Sequence, residues 1–191
     1  MINEIKITDL SKAESYSFNS DTKYDVWITA VDDVERKKID RMRRNFFAKG
    51  VNFYSQFFAD WSDEDGIQWA SLKSKAPTTK HIENYINFLT PVVQDDKVHN
   101  LGVNCFAGIS RSSALAIIAL VMSGKTIDNA LDYVLAIRPE AWPNLRMLGL
   151  ASDILGKDIK THVKQWKDSV LGDGNIITSY DDLRKLNKNA N

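Results

Sequence analysis

The chain has 191 residues, of which 43% are apolar and 26% charged, a globular balance that excludes whole-chain disorder. Lys and Arg total 25, Asp and Glu total 25, and the formal net charge of zero sets aside a nucleic-acid partner held by basic excess. One cysteine excludes an internal disulfide and a four-cysteine zinc site. With no 18-residue apolar run and no signal-peptide core in MINEIKITDL, the chain reads as soluble and cytoplasmic, with no membrane partner.

Ile2 to Ile7 alternates apolar and polar and predicts a first strand. Residues 8–23 are polar and read as loop. Tyr24 to Thr29 is dense in β-branched and aromatic residues, as a buried strand is. Ile39, Met42, Phe46 and Phe47 recur at helical spacing within 34–47, and Gly50 supplies a stop. Val51 to Ala59 reads as an aromatic strand that runs into an acidic loop, Asp60 to Gly66. Pro77-Thr78-Thr79 opens a second helix with Ile82, Tyr85, Ile86 and Leu89 on one face. Val98 to Asn104 is the next strand.

A strongly apolar helix follows, Ala114 to Met122. Thr126 caps another that runs to about Ile137. Pro139 and Pro143 break the chain, and two more helices are expected at 145–155 and 159–170. The residues beyond Gly172 are polar and aperiodic. The organisation expected is one α/β domain over residues 1–170 with a polar tail at 171–191. Its core is a central, mainly parallel sheet of four or five strands flanked by helices. Such sheets bind ligands beyond the carboxyl ends of their strands. That directs attention to the turn after Asn104.

The turn reads Cys105-Phe106-Ala107-Gly108-Ile109-Ser110-Arg111-Ser112. Gly108 permits a tight backbone path. Successive backbone N–H groups and the amino end of the following helix form an anion nest, and Arg111 adds a planar fork of donors suited to phosphate oxygens. The same field favours a thiolate. A thiolate at the floor of a phosphate cradle is a nucleophile for phosphorus, and Ser112 can donate a hydrogen bond to the sulfur as it leaves. On this reading Cys105, Arg111 and Ser112 carry the chemistry. Phe106, Ala107, Gly108, Ile109 and Ser110 bind the phosphoryl group.

The Cys-x5-Arg-Ser pattern, written here as CFAGISRS, resembles the signature of the cysteine-dependent protein tyrosine phosphatase superfamily, and most closely its dual-specificity branch. Arg138-Pro139-Glu140-Ala141-Trp142-Pro143-Asn144 resembles the Arg-Pro-x-x-x-Pro-Asn segment of dual-specificity and related bacterial phosphatases. The resemblance implies a phosphatase-like α/β fold, hydrolysis of phosphomonoesters through phosphocysteine, a phosphorylated protein as partner, and no metal or other cofactor. Phosphotyrosine is the leading substrate, with phosphoserine and phosphothreonine open. The variable loop positions lack the lysines of the inositide-directed members.

The resemblance also implies an aspartate acid on a loop after an earlier strand. Asp60 follows its strand directly and is the first choice, with Asp63 and Asp65 as alternatives. Trp61 either shields this acid or anchors the core.

One position departs from the family. Histidine usually precedes the cysteine, and here the residue is Asn104, which donates and accepts hydrogen bonds but cannot carry a positive charge. The rival reading is a catalytically impaired module that captures phosphorylated partners. A rhodanese-type sulfur transferase is a third, disfavoured by Arg111-Ser112 and by the Arg138-Pro139 segment. Seven of the 14 residues from 36 to 49 are basic, which reads as a solvated helix face or as a site for an anionic partner. His81, His99 and His162 lack ligand spacing.

Overall fold

A computed structural model describes residues 1–19, 22–61 and 75–172. Four strands form one sheet: β1 (Ile2–Thr8), β2 (Val26–Val31), β3 (Asn52–Phe57) and β4 (His99–Asn104). Their order is β1-β4-β2-β3 and every pairing is parallel. Among the described residues, seven helices flank the sheet: α1 (Leu10–Phe18), α2 (Arg36–Phe47), α3 (Thr79–Gln94), α4 (Arg111–Met122), α5 (Ile127–Ile137), α6 (Leu145–Leu155) and α7 (Ile159–Leu171). A 3-10 turn at Asp33–Glu35 precedes α2.

The pattern of β2 explains the two layers. All six of its residues are buried, and alternate side chains point to opposite faces. Val26, Ile28 and Ala30 join the larger core with α3, α4, α5, α6 and α7. Trp27 and Val31 join a smaller core with Leu10 and Ala13 of α1 and Ile39, Met42 and Phe46 of α2. In α4 every residue from Arg111 to Val121 is buried, so this helix is the hub of the larger layer.

The helix α1 corrects the expectation of loop over residues 8–23. Asp9 caps it, its side chain accepting from the Lys12 N–H at 2.8 Å. Its buried positions are Leu10, Ala13 and Ser17, a helical spacing with one large apolar residue beside two small ones, which is why no apolar stripe stands out in the sequence. The other strands and helices fall where the sequence places them, with boundaries shifted by one to three residues. Asp63, Asp65 and the tail beyond residue 172 lie outside the described residues.

Because all four strands are parallel, their carboxyl ends lie along one edge of the sheet. That edge gathers Thr8-Asp9, Asp32, Ala59-Asp60 and Cys105 from four separate parts of the chain.

Candidate active site

Cys105 follows β4 directly and is 1% exposed. The Gly108 N–H donates to its Sγ at 3.2 Å, and Ser112 Oγ lies 3.2 Å from the same sulfur. Gly108 has φ of 73°. A Cβ there would stand 2.6 Å from the Thr8 carbonyl carbon, so both the backbone conformation and the close approach of β1 require glycine.

The loop carbonyls are drawn outward one after another. Phe106 O accepts from the Leu10 N–H at 3.0 Å, at the start of α1. Ala107 O and Gly108 O accept from Arg138 Nη2 and Nε, each at 3.0 Å. Ile109 O accepts from the Trp142 N–H at 3.1 Å, and Ser110 O from the Asn144 N–H at 3.3 Å. The Gly108 N–H turns to the sulfur while its carbonyl is held by Arg138, and the loop presents further N–H groups. Those of Phe106, Ala107, Ile109, Ser110 and Arg111 have no acceptor among the described residues. An unpaired ring of N–H groups at the amino end of a helix is an anion site. The two sequence motifs are thus one object: residues 138–144 hold the outer surface of the loop that residues 105–111 form.

Arg111 is 3% exposed. Its Nη1 donates to Phe58 O at 2.7 Å and to Asp32 Oδ2 at 3.2 Å, while Nη2 reaches the same Oδ2 at 3.3 Å. Its Nε lies 3.6 Å from Asp60 Oδ2 and has no hydrogen-bond acceptor among the described residues. A buried guanidinium must be paired, and two carboxylates do this here. Asp32 was missed in the sequence reading. It is the first residue after β2, a central strand, and the rule that sites lie beyond the carboxyl ends of parallel strands would have marked it.

Asp60 comes to the same place. Its Oδ1 accepts from Ser110 Oγ at 2.7 Å and from Asn144 Nδ2 at 2.9 Å. Asn144 Nδ2 also donates to Trp61 O at 3.1 Å, and Trp61 is buried. Of the loop residues, Ile109 is buried and Ala107 half-buried, whereas Phe106 is 58% exposed and stands at the rim. The indole of Trp142 packs 5.5 Å from Trp166 and under Lys167 Nζ at 4.5 Å.

Asn104 is fully buried, and its Oδ1 accepts from Trp27 Nε1 at 2.8 Å and Thr29 Oγ1 at 2.6 Å. His99, at the far end of β4, pairs with Asp25 and Asp95 and takes no part in the loop. Four of the six basic residues of α2 have acidic partners, three of these on neighbouring elements: Arg36 pairs with Asp33, Lys38 with Glu35, Arg41 with Glu14, and Arg43 with Asp40.

No family model matches the sequence, and no curated protein matches it. Among solved structures, the chain is similar to Tk-PTP, a tyrosine phosphatase, in a crystal structure of its active form. The TM-score is 0.52 at 16% identity, over 83% of this chain and 92% of that one. That likeness shows a fold of the tyrosine phosphatase type, in keeping with the parallel sheet flanked by helices seen among the described residues.

Proposed function

We propose that the protein is a phosphomonoester hydrolase that works through a phosphocysteine at Cys105, with phosphotyrosine in proteins as the leading substrate. The observation that carries this reading is the loop around the Cys105 sulfur, in which the Gly108 N–H donates to Sγ and the N–H groups of residues 106, 107 and 109–111 have no acceptor among the described residues, beside the buried Arg111 guanidinium. The tyrosine phosphatase-like fold supports it.

The phosphoryl oxygens take the N–H groups of residues 106, 107 and 109–111 and the Nε of Arg111, which has no hydrogen-bond acceptor among the described residues. The Cys105 thiolate attacks phosphorus and the ester P–O bond breaks. The departing oxygen takes a proton from Asp60, and the alcohol leaves. Water then attacks the phosphocysteine and gives its proton to Asp60. The S–P bond breaks with its electron pair returning to sulfur, and Ser112 Oγ donates to that sulfur. The products are alcohol and inorganic phosphate. Donors fixed before the charge develops account for much of the acceleration. Phe106 at the rim and the lack of lysine in the loop favour an aryl phosphate over an inositide.

The reaction so written needs no metal. Hydrolysis of p-nitrophenyl phosphate is expected to persist in chelator and to vanish in Cys105→Ser. A rate that survives the substitution contradicts the mechanism. A variant that binds phosphopeptide while the wild-type protein never turns it over would support the alternative, a phosphate-capturing module.

A further inference from the structure

Asn104 sits where the resembling family carries histidine, and its surroundings are shaped for a neutral acceptor. Trp27 Nε1 and Thr29 Oγ1 both donate to its Oδ1, at 2.8 and 2.6 Å. All three residues are 0% exposed. Both donors come from β2, whose Thr29 is the register partner of Asn104. An indole N–H is a donor with no lone pair. Turning the amide over would set its NH2 against that N–H and leave buried donors unpaired, so the orientation is fixed. The two donors occupy both lone pairs of Oδ1. Nδ2 is thereby directed toward the Cys105 side, where the Cys105 carbonyl oxygen lies at 3.5 Å.

The indole itself cannot move aside. Its ring lies over Gly102, where a Cβ would fall 2.1 Å from Trp27 Cε3, and it stacks on Phe46 at 4.8 Å. An imidazolium carries N–H on both nitrogens and offers Trp27 no acceptor. Histidine at this position would be accommodated only as a neutral ring.

We propose that Asn104 is a positioning residue for the Cys105 thiol, its amide oriented by Trp27 and Thr29, and that Trp27 excludes a cation at position 104. The inference rests on Cys105 as the reacting thiol. Its consequence is that the residue directly before the thiol carries no charge at any pH. The loop N–H groups, the amino end of α4 and Arg111 alone stabilise the thiolate.

The test uses the full chain and four variants: Thr29→Val, Trp27→Phe, Asn104→His and the double variant Trp27→Phe/Asn104→His. Two readouts are taken on protein shown to be folded by circular dichroism. One is the alkylation rate of Cys105 by iodoacetamide from mildly acidic to neutral pH, and the other is kcat and KM for p-nitrophenyl phosphate. Thr29→Val and Trp27→Phe are expected to slow alkylation and to lower kcat roughly ten- to a hundredfold with KM little changed, as misplacement of a reacting group does. Asn104→His alone should leave alkylation at mildly acidic pH at or below the wild-type rate, and the double variant should exceed it. A histidine that unfolds the chain alone and is tolerated with Trp27→Phe supports the same exclusion.

The proposal is overturned if Asn104→His alone accelerates alkylation as much as the double variant. It is also overturned if Thr29→Val, nearly identical in shape to the wild type, lowers only the melting temperature. Alkylation reports on the thiol whether or not the protein hydrolyses phosphate. An inert wild-type protein with the expected alkylation pattern would therefore sink the phosphatase reading and leave this one standing.

Discussion

Asn144 grips Asp60 and the cysteine loop at once: its Nδ2 donates to Asp60 Oδ1 at 2.9 Å while its backbone N–H donates to Ser110 O at 3.3 Å. Its Oδ1 also caps α6, accepting from the Met147 N–H at 3.0 Å. Asn144→Ala should cost about 1 kcal/mol through the lost cap. It should also slow hydrolysis of esters with poor leaving groups more than of those with good ones. Asn144→Ser keeps a capping oxygen, but its short hydroxyl does not reach Asp60. A thermal melt near that of the wild type, together with the same selective loss of rate, would separate the two roles.

Removal of a general acid costs roughly 10²–10⁴-fold when the leaving group needs its proton. Asp60→Ala is therefore expected to steepen the dependence of rate on leaving-group pKa across a series of aryl phosphates. Should Asp60→Ala leave that slope unchanged while Asp63→Ala steepens it, the acid belongs at Asp63.

Arg111 owes its planar fork to guanidinium, and lysine cannot replace it. Arg111→Lys should weaken inhibition by vanadate and lower kcat by roughly 10²–10³-fold, as loss of a preorganised oxyanion donor does. Asp32→Asn retains the shape of the partner but removes one of the two carboxylates that pair this buried cation. A lower melting temperature and reduced kcat are expected, and unchanged values for both would show that Asp60 and the Phe58 carbonyl suffice.

At the amino end of α3, His81 Nδ1 accepts from the Thr78 N–H at 3.1 Å, a task that only an unprotonated nitrogen can perform. Burial pushes the His81 imidazole below its ordinary value of 6.5. With the folded value depressed, the unfolded chain takes up the proton more readily. The stabilisation is thus present in full above 6.5 and is lost as pH falls through the unfolded value toward the folded one. Thermal melts should show a drop in stability through mildly acidic pH that is smaller in His81→Gln, since glutamine can accept the same bond at any pH.

Much of this was legible from residues alone. Period-two and helical spacings marked the strands and most of the helices. CFAGISRS, with the downstream Arg138 to Asn144 segment, marked the site. What stayed hidden was set by tertiary contact. Helix α1 buries Leu10, Ala13 and Ser17, a stripe in which leucine alone is strongly apolar, too little to signal amphipathicity. Asp32 is an ordinary acidic residue until the parallel order of β2 and β4 brings it to Arg111. The meaning of Asn104 was beyond reach, because its donors lie 75 and 77 positions away on β2.

The central claim is that phosphorus is transferred to sulfur. Rapid acid quenching of the protein during turnover of an aryl phosphate, followed by peptide mass spectrometry, tests it most directly. A phosphoryl group on the Cys105 peptide is expected, with less of it as leaving groups worsen and none in Cys105→Ser. Sustained hydrolysis with no phosphate on Cys105 at any quench time, under conditions that preserve phosphocysteine, would contradict it.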